Sequence, residues 1–128
     1  MLTERQSRRG SRNLFMPMEI TLDSDKFDEH QMELLYHVAA EIRDALSAAG
    51  LHGEKLQKTT EDLTFGIAAL FDGSRLLEFE GKQLRPFVAF ALNDDATKLL
   101  GAEGGSWMHE YAVGAAEQVC EESVGEES

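Results

Sequence analysis

The apolar residues between positions 27 and 49 recur at intervals of three and four, so they fall on one face of an α-helix. They are Phe27, Leu34, Leu35, Val38, Ile42, Ala45, Leu46 and Ala49. Ser24 or Asp25 is suited to cap the first turn, and Gly50 is suited to the left-handed position that ends a helix. This pattern predicts a long amino-terminal helix over residues 25–49.

Residues 63–93 show a different pattern, in which apolar residues alternate with small or polar ones, as they do in half-buried strands. Turn signals at residues 72–73 and 81–82 divide the segment into three parts. The segment therefore predicts an antiparallel β-meander. Residues 18–22 alternate in the same way after Pro17, and they predict an edge strand beside it.

The last third of the chain predicts a loop followed by a helix. A helical turn is expected over residues 96–100, inside a glycine-containing loop. Apolar residues at helical spacing then predict a carboxy-terminal helix over residues 107–121, with Ser106 as its cap. The apolar face of that helix holds Met108, Tyr111, Ala112, Ala115 and Val119.

These elements predict an α+β fold in which the meander is packed by the two helices. The length of 128 residues fits one domain, which we place at residues 15–122. Residues 1–14 are rich in arginine and residues 123–128 are acidic, and we expect both segments to be disordered. The single cysteine, the absence of a secretory leader and the absence of a run of about 20 apolar residues favour a cytoplasmic protein outside the membrane.

The net charge of −12 is unevenly distributed along the chain. Residues 1–14 hold four arginines and one glutamate, which leaves +3 there and −15 on the remainder. A body of that charge repels phosphate backbones and anionic lipids, but it is compatible with a basic protein partner. The first 14 residues are open to three interpretations: a basic arm, a targeting leader, or an extension upstream of a start at Met16 or Met18. We favour the extension.

Three polar residues of the long helix are candidate metal ligands. His30, Glu33 and His37 lie at helical spacing, clear of the apolar face. Imidazole and carboxylate groups at that spacing can bind zinc or another transition metal. A metal site also requires burial and ligands from a facing element, so the stripe is more typical of a solvated helix face, and we expect no cofactor.

Four small residues share one face of the predicted meander: Gly66, Ala68, Ala89 and Ala91. Small side chains allow another backbone or helix to approach a sheet closely. Either the last helix of the chain or a second copy of the protein covers this face. Both alternatives stay open, and we predict a homodimer that uses these four residues as its interface.

No catalytic motif passes its context test, because the residues around Ser106 and His109 lack any nucleophile pattern. The sequence therefore predicts a non-catalytic protein-interaction module. A small metal protein or enzyme that uses the helix stripe is one alternative, and an acidic inhibitor or chaperone-like protein that binds a basic partner is another. The order helix, meander, helix in a small acidic chain resembles that of class I type III secretion chaperones. This resemblance implies a dimer that holds partly unfolded clients.

Overall fold

The computed structural model describes residues 17–103 and 107–127, with side chains as far as residue 122. The chain has an α+β fold. Its elements in order are β1 (Glu19–Leu22), α1 (Ser24–Ala48), α2 (Gly53–Phe71), β2 (Leu77–Phe79), β3 (Lys82–Leu84), β4 (Phe90–Ala91), β5 (Lys98–Gly101) and α3 (Met108–Glu127).

Helices α1 and α2 form a hairpin across a four-residue connection. Gly50 has a φ of +103°, a conformation that glycine adopts at little cost. Its amide donates to the carbonyl of Ser47 at 3.0 Å, and the amide of Leu51 donates to the carbonyl of Leu46 at 3.0 Å. These two bonds are the Schellman motif that ends α1, as Gly50 in the sequence predicts.

Helix α3 packs against both members of the hairpin and runs in the direction of α1. Near the start of α3, the amide of Trp107 donates to the side chain of Gln31 at 3.3 Å. Further along both helices, the guanidinium of Arg43 donates to the carbonyl of Val119 at 2.7 Å. The contacts follow the same order on the two helices, which shows that α1 and α3 are parallel.

The core lies between the three helices and is rich in small residues. The completely buried apolar side chains are Phe27, Leu35, Ala39, Ala68, Met108, Ala112, Ala116 and Val119. Alanine at these contacts lets the helix axes approach closely. The larger members fill the remaining space, and full burial of a side chain such as Leu35 contributes about 1.5–3 kcal/mol to stability.

A small mixed sheet stands at the end of the bundle where α1 and α3 begin. Its strand order is β1-β5-β4, with β1 parallel to β5 and β4 antiparallel to β5. Each parallel strand leads into one of the parallel helices, β1 into α1 and β5 into α3. Strands β2 and β3 form a separate antiparallel hairpin. None of the helices in the described ranges is both long and apolar enough to cross a membrane.

The predicted meander over residues 63–93 is wrong in its first and third strands. Residues 63–71 belong to α2, which begins at Gly53 within the stretch expected to be a polar connection. Asp72 ends that helix and does not form a hairpin turn. The predicted second strand is present as β2, but its partner is β3, which precedes the predicted third strand. The one strand within that predicted third segment, β4, pairs with β5 instead. The element order that resembles type III secretion chaperones is therefore absent.

Of the other predicted elements, three are confirmed and one is wrong. The edge strand at residues 18–22 and the long helix at residues 25–49 are confirmed as β1 and α1. The helical turn expected over residues 96–100 is wrong, because most of that stretch is β5. The carboxy-terminal helix is confirmed and extends to Glu127, past its predicted end. Residues 1–14 and Ser106 lie outside the described residues.

Candidate functional site

The four small residues of the predicted interface do not share a face. Gly66 and Ala68 lie on α2, whereas Ala89 precedes β4 and Ala91 is within it. A Cβ atom on Gly66 would lie 3.5 Å from the guanidinium of Arg75, so that position is already covered. Ala68 is completely buried between the helices. These four residues therefore do not form the single interface that the sequence predicts.

The candidate metal ligands come together only in part. The ring of His37 lies 3.0 Å from the carboxylate of Glu33, and 67% and 71% of the two side chains is exposed. The ring of His30 packs edge-on against Phe90 at 5.4 Å between centroids. Among residues 17–103 and 107–127, no three His, Cys, Asp or Glu side chains are placed to hold a metal ion.

The side of the mixed sheet that faces away from the helices is apolar. Leu100 of β5 is buried, so Leu99 and Gly101 project to the opposite side. Their partners in the register project with them, and the aromatic ring of residue 87 lies over Gly101. We call this surface the outer sheet face, which consists of Ile20, Leu22, Phe87, Ala91, Leu99 and Gly101.

Large apolar side chains of the outer sheet face are open to solvent. The exposed fraction is 52% for Ile20, 55% for Leu22 and 58% for Phe87. A Cβ atom on Gly101 would lie 3.0 Å from the Phe87 ring and 3.5 Å from Leu22, so glycine there leaves room for the ring to approach the strand. The result is a continuous exposed patch and not a scatter of single residues.

A groove runs between α1 and α3 on the side of the bundle away from α2. Two adjoining depressions of about 310 and 420 Å³ form it, and they share Met32, Tyr36 and Gln118. We call it the α1–α3 groove; its floor is formed by Met32, Tyr36, Tyr111, Gly114, Ala115 and Gln118, and its rim by Glu29, Glu33 and Glu110. Apolar and aromatic surface is thus bordered by negative charge.

Both tyrosines of the groove lie beside carboxylates. The hydroxyl of Tyr36 donates to the carboxylate of Glu122, which raises the pKa of Tyr36. Burial raises the pKa of Tyr111, and the charges of Asp28 and Glu110 raise it further. The groove thus places aromatic surface next to anionic groups.

A buried carboxylate joins the end of α2 to the start of α3. One oxygen of Asp72 accepts from the backbone amide of His109 at 2.9 Å and also contacts the Nδ1 atom of its ring. The other oxygen accepts from the backbone amide of Ser74 at 2.9 Å. Burial alone would raise the pKa of Asp72, but the hydrogen bonds from His109 and Ser74 outweigh it and hold the pKa below its ordinary value.

The chemistry of this junction is that of a helix cap. The hydroxyl of Ser74 lies 3.0 Å from His109 Nδ1, the same ring nitrogen that Asp72 contacts. A serine–histidine–aspartate relay needs the serine and the aspartate on opposite ring nitrogens. Here the carboxylate instead satisfies a free amide of the first turn of α3 and complements the positive end of the helix dipole.

Local sequence patterns do not reveal this junction, because Asp72 and His109 are far apart in the chain. The Asp-Gly dipeptide indicated a hairpin, and nothing local connects it with a histidine 37 residues later. The outer sheet face is not evident from the sequence for a similar reason, since it depends on pairing between β1 and β5.

Comparison with protein-family models, with curated proteins and with solved structures found no match for the chain.

Proposed function

We propose that this chain is a non-catalytic, cytoplasmic protein-interaction module that acts as a homodimer, and that two copies meet through the outer sheet face. The observation that carries the proposal is the exposure of Ile20, Leu22 and Phe87 on one side of a three-stranded sheet. Side chains of this size are ordinarily removed from water in small proteins. A patch of them on one face is typical of an interaction surface.

A second copy suits this face for two physical reasons. A two-fold axis brings identical patches together, so an apolar patch is automatically matched by an apolar patch. The acidic body repels itself elsewhere, and the large side chains of the outer sheet face carry no charge. Association through this face therefore removes apolar area from water while it keeps the carboxylates of the helices apart.

The oligomeric state of the full chain tests the proposal. We expect sedimentation velocity between about 1 μM and about 1 mM, which spans binding free energies of about −8 to −4 kcal/mol, to show a monomer–dimer equilibrium. The Leu22→Glu variant should be monomeric over the same range, because it places a charge within the patch. Ile20→Glu should act in the same way.

A matched control separates the face from apolar exposure in general. Leu63 lies on α2 with 45% of its side chain exposed, and Leu63→Glu makes the same chemical change away from the sheet. This variant should dimerise like the unchanged protein. A monomeric unchanged protein would contradict the proposal, and so would equal loss of dimer in the Leu63→Glu and Leu22→Glu variants.

A further inference from the structure

We propose that the α1–α3 groove binds the arginine-rich amino-terminal segment of its own chain, residues 1–14. The segment lies outside the described residues, and the groove is defined without it. The inference does not depend on the homodimer, because the groove is formed by two helices of one copy.

The charge of the groove selects a cation. Its lining includes Glu29, Glu33 and Glu110, and no lysine or arginine is among the described residues that line it. Residues 1–14 carry +3 on a chain whose remainder carries −15. A tethered cation is present at high effective concentration, so a weak electrostatic contact is enough to keep it bound.

The floor of the groove selects a guanidinium over an ammonium group. Tyr36 and Tyr111 present aromatic rings next to carboxylates. A planar guanidinium stacks on such rings while its N–H groups bond to carboxylate oxygens, whereas an ammonium group is more strongly hydrated and has no flat surface. All four basic residues of the segment are arginines and none is a lysine: Arg5, Arg8, Arg9 and Arg12.

The segment is long enough to reach the groove. Followed along the chain, Ser24 is about 23 Å from Pro17 at strand spacing. Tyr36, at the far end of the groove, is about 18 Å further along the helix axis. These two lengths give an upper limit of about 41 Å from Pro17, while an extended chain places Arg12 about 17 Å and Arg5 about 41 Å away. Arginines of the segment can therefore reach every part of the groove.

Paramagnetic broadening of amide signals in the full chain tests the inference. A nitroxide on Ser7→Cys should cause loss of amide signal at Met32, Tyr36, Gly114 and Gln118. Cys120 does not compete for the label, because only 4% of it is exposed and burial raises the pKa of its thiol. Broadening confined to other surfaces, or spread evenly over the protein, would overturn the inference.

Two sets of variants give the controls. Replacement of all four arginines of the segment by glutamine should abolish the broadening, and replacement by lysine, which keeps the charge, should weaken it. Glu33→Gln with Glu110→Gln should weaken it, whereas Glu54→Gln with Glu78→Gln, a matched loss of two charges outside the groove, should leave it unchanged. Equal broadening in the arginine and glutamine forms of the segment would overturn the inference.

Salt and mixing experiments complete the design. The broadening should decline between about 0.1 M and about 1 M salt, as the screening length falls from about 10 Å to about 3 Å. A mixture of isotope-labelled chains without nitroxide and unlabelled chains with nitroxide should show no broadening in the groove. Broadening of full strength in that mixture would assign the occupant to a second copy and overturn the proposal of a same-chain contact.

Discussion

Two buried threonines on α2 differ in one respect, the presence of a hydrogen-bond partner. The hydroxyl of Thr60 donates to the carbonyl of Leu56 at 2.7 Å. The hydroxyl of Thr64 is buried, and among the described residues it has no partner. A buried hydroxyl without a partner has lost its bonds to water and gained none, which costs about 1–3 kcal/mol.

We therefore predict that Thr64→Val stabilises the protein. Valine has nearly the same shape and no group to desolvate, so the free energy of unfolding should rise by about 1 kcal/mol. Thr60→Val is the matched control; it removes a satisfied hydroxyl from the same helix and should lower stability by about 1 kcal/mol. Urea unfolding followed by circular dichroism measures both. A loss of stability in Thr64→Val would show that its hydroxyl has a partner in solution.

At the scale of whole elements, the carboxylate of Asp72 joins α2 to α3. Its two oxygens accept from the amides of Ser74 and His109, so Asp72→Ala leaves two amides without their partners. We predict a loss of about 2 kcal/mol in the free energy of unfolding. Ser74→Ala is the control, because it keeps both amide bonds and removes only an exposed hydroxyl; it should cost less than about 1 kcal/mol.

The contribution of Asp72 should also depend on pH. Its pKa in the folded state lies below the ordinary value of 3.8, so the ionised carboxylate stabilises the fold. That stabilisation is complete above the pKa of the unfolded chain and is lost as the pH falls through the folded pKa. The difference in stability between the unchanged protein and Asp72→Ala should thus be largest near neutral pH and shrink below about pH 4. A difference that stays constant would show that the charge has no role.

Helix α2 shows why alternation alone misassigned an element. Its buried positions include Thr60, Thr64 and Ala68, which repeat every four residues as a helix requires. Its larger apolar residues Leu63 and Phe65 remain 45% and 41% exposed. A helix that buries small and polar residues gives a weak apolar periodicity, so the alternation of its large residues predicts a strand. Helix α1 was predicted correctly because its buried positions include Phe27 and Leu35.

At the scale of the whole molecule, the sequence predicted elements better than their pairing. The sequence predicts β1 as an edge strand, yet its partner β5 lies in a stretch that the sequence predicts as a loop. Parallel strands need a long connection, and no local pattern reports which segment lies at its far end. The outer sheet face follows from that pairing, so the sequence alone predicts Ile20 and Leu22 in a half-buried strand and not in an interface.

The net charge of the molecule leads to a last prediction, which concerns salt. The charge of −12 is spread over a small domain, and two of its ion pairs, Arg43 with Asp44 and Lys58 with Asp62, join residues close together in the chain. Repulsion among carboxylates therefore outweighs attraction in the folded state, and the extended unfolded chain relieves it. Screening should stabilise the fold, so the melting temperature should rise as salt increases from about 0.01 M to about 0.3 M. The rise should be equal in sodium chloride and tetramethylammonium chloride if it comes from screening, because the second cation is too large and weakly coordinating to bind carboxylates specifically. A melting temperature that falls with salt would mean that attractive contacts dominate. The contact between residues 1–14 and the α1–α3 groove would then be the main candidate for that attraction. In that case, replacement of the four arginines of the segment by glutamine should remove the fall.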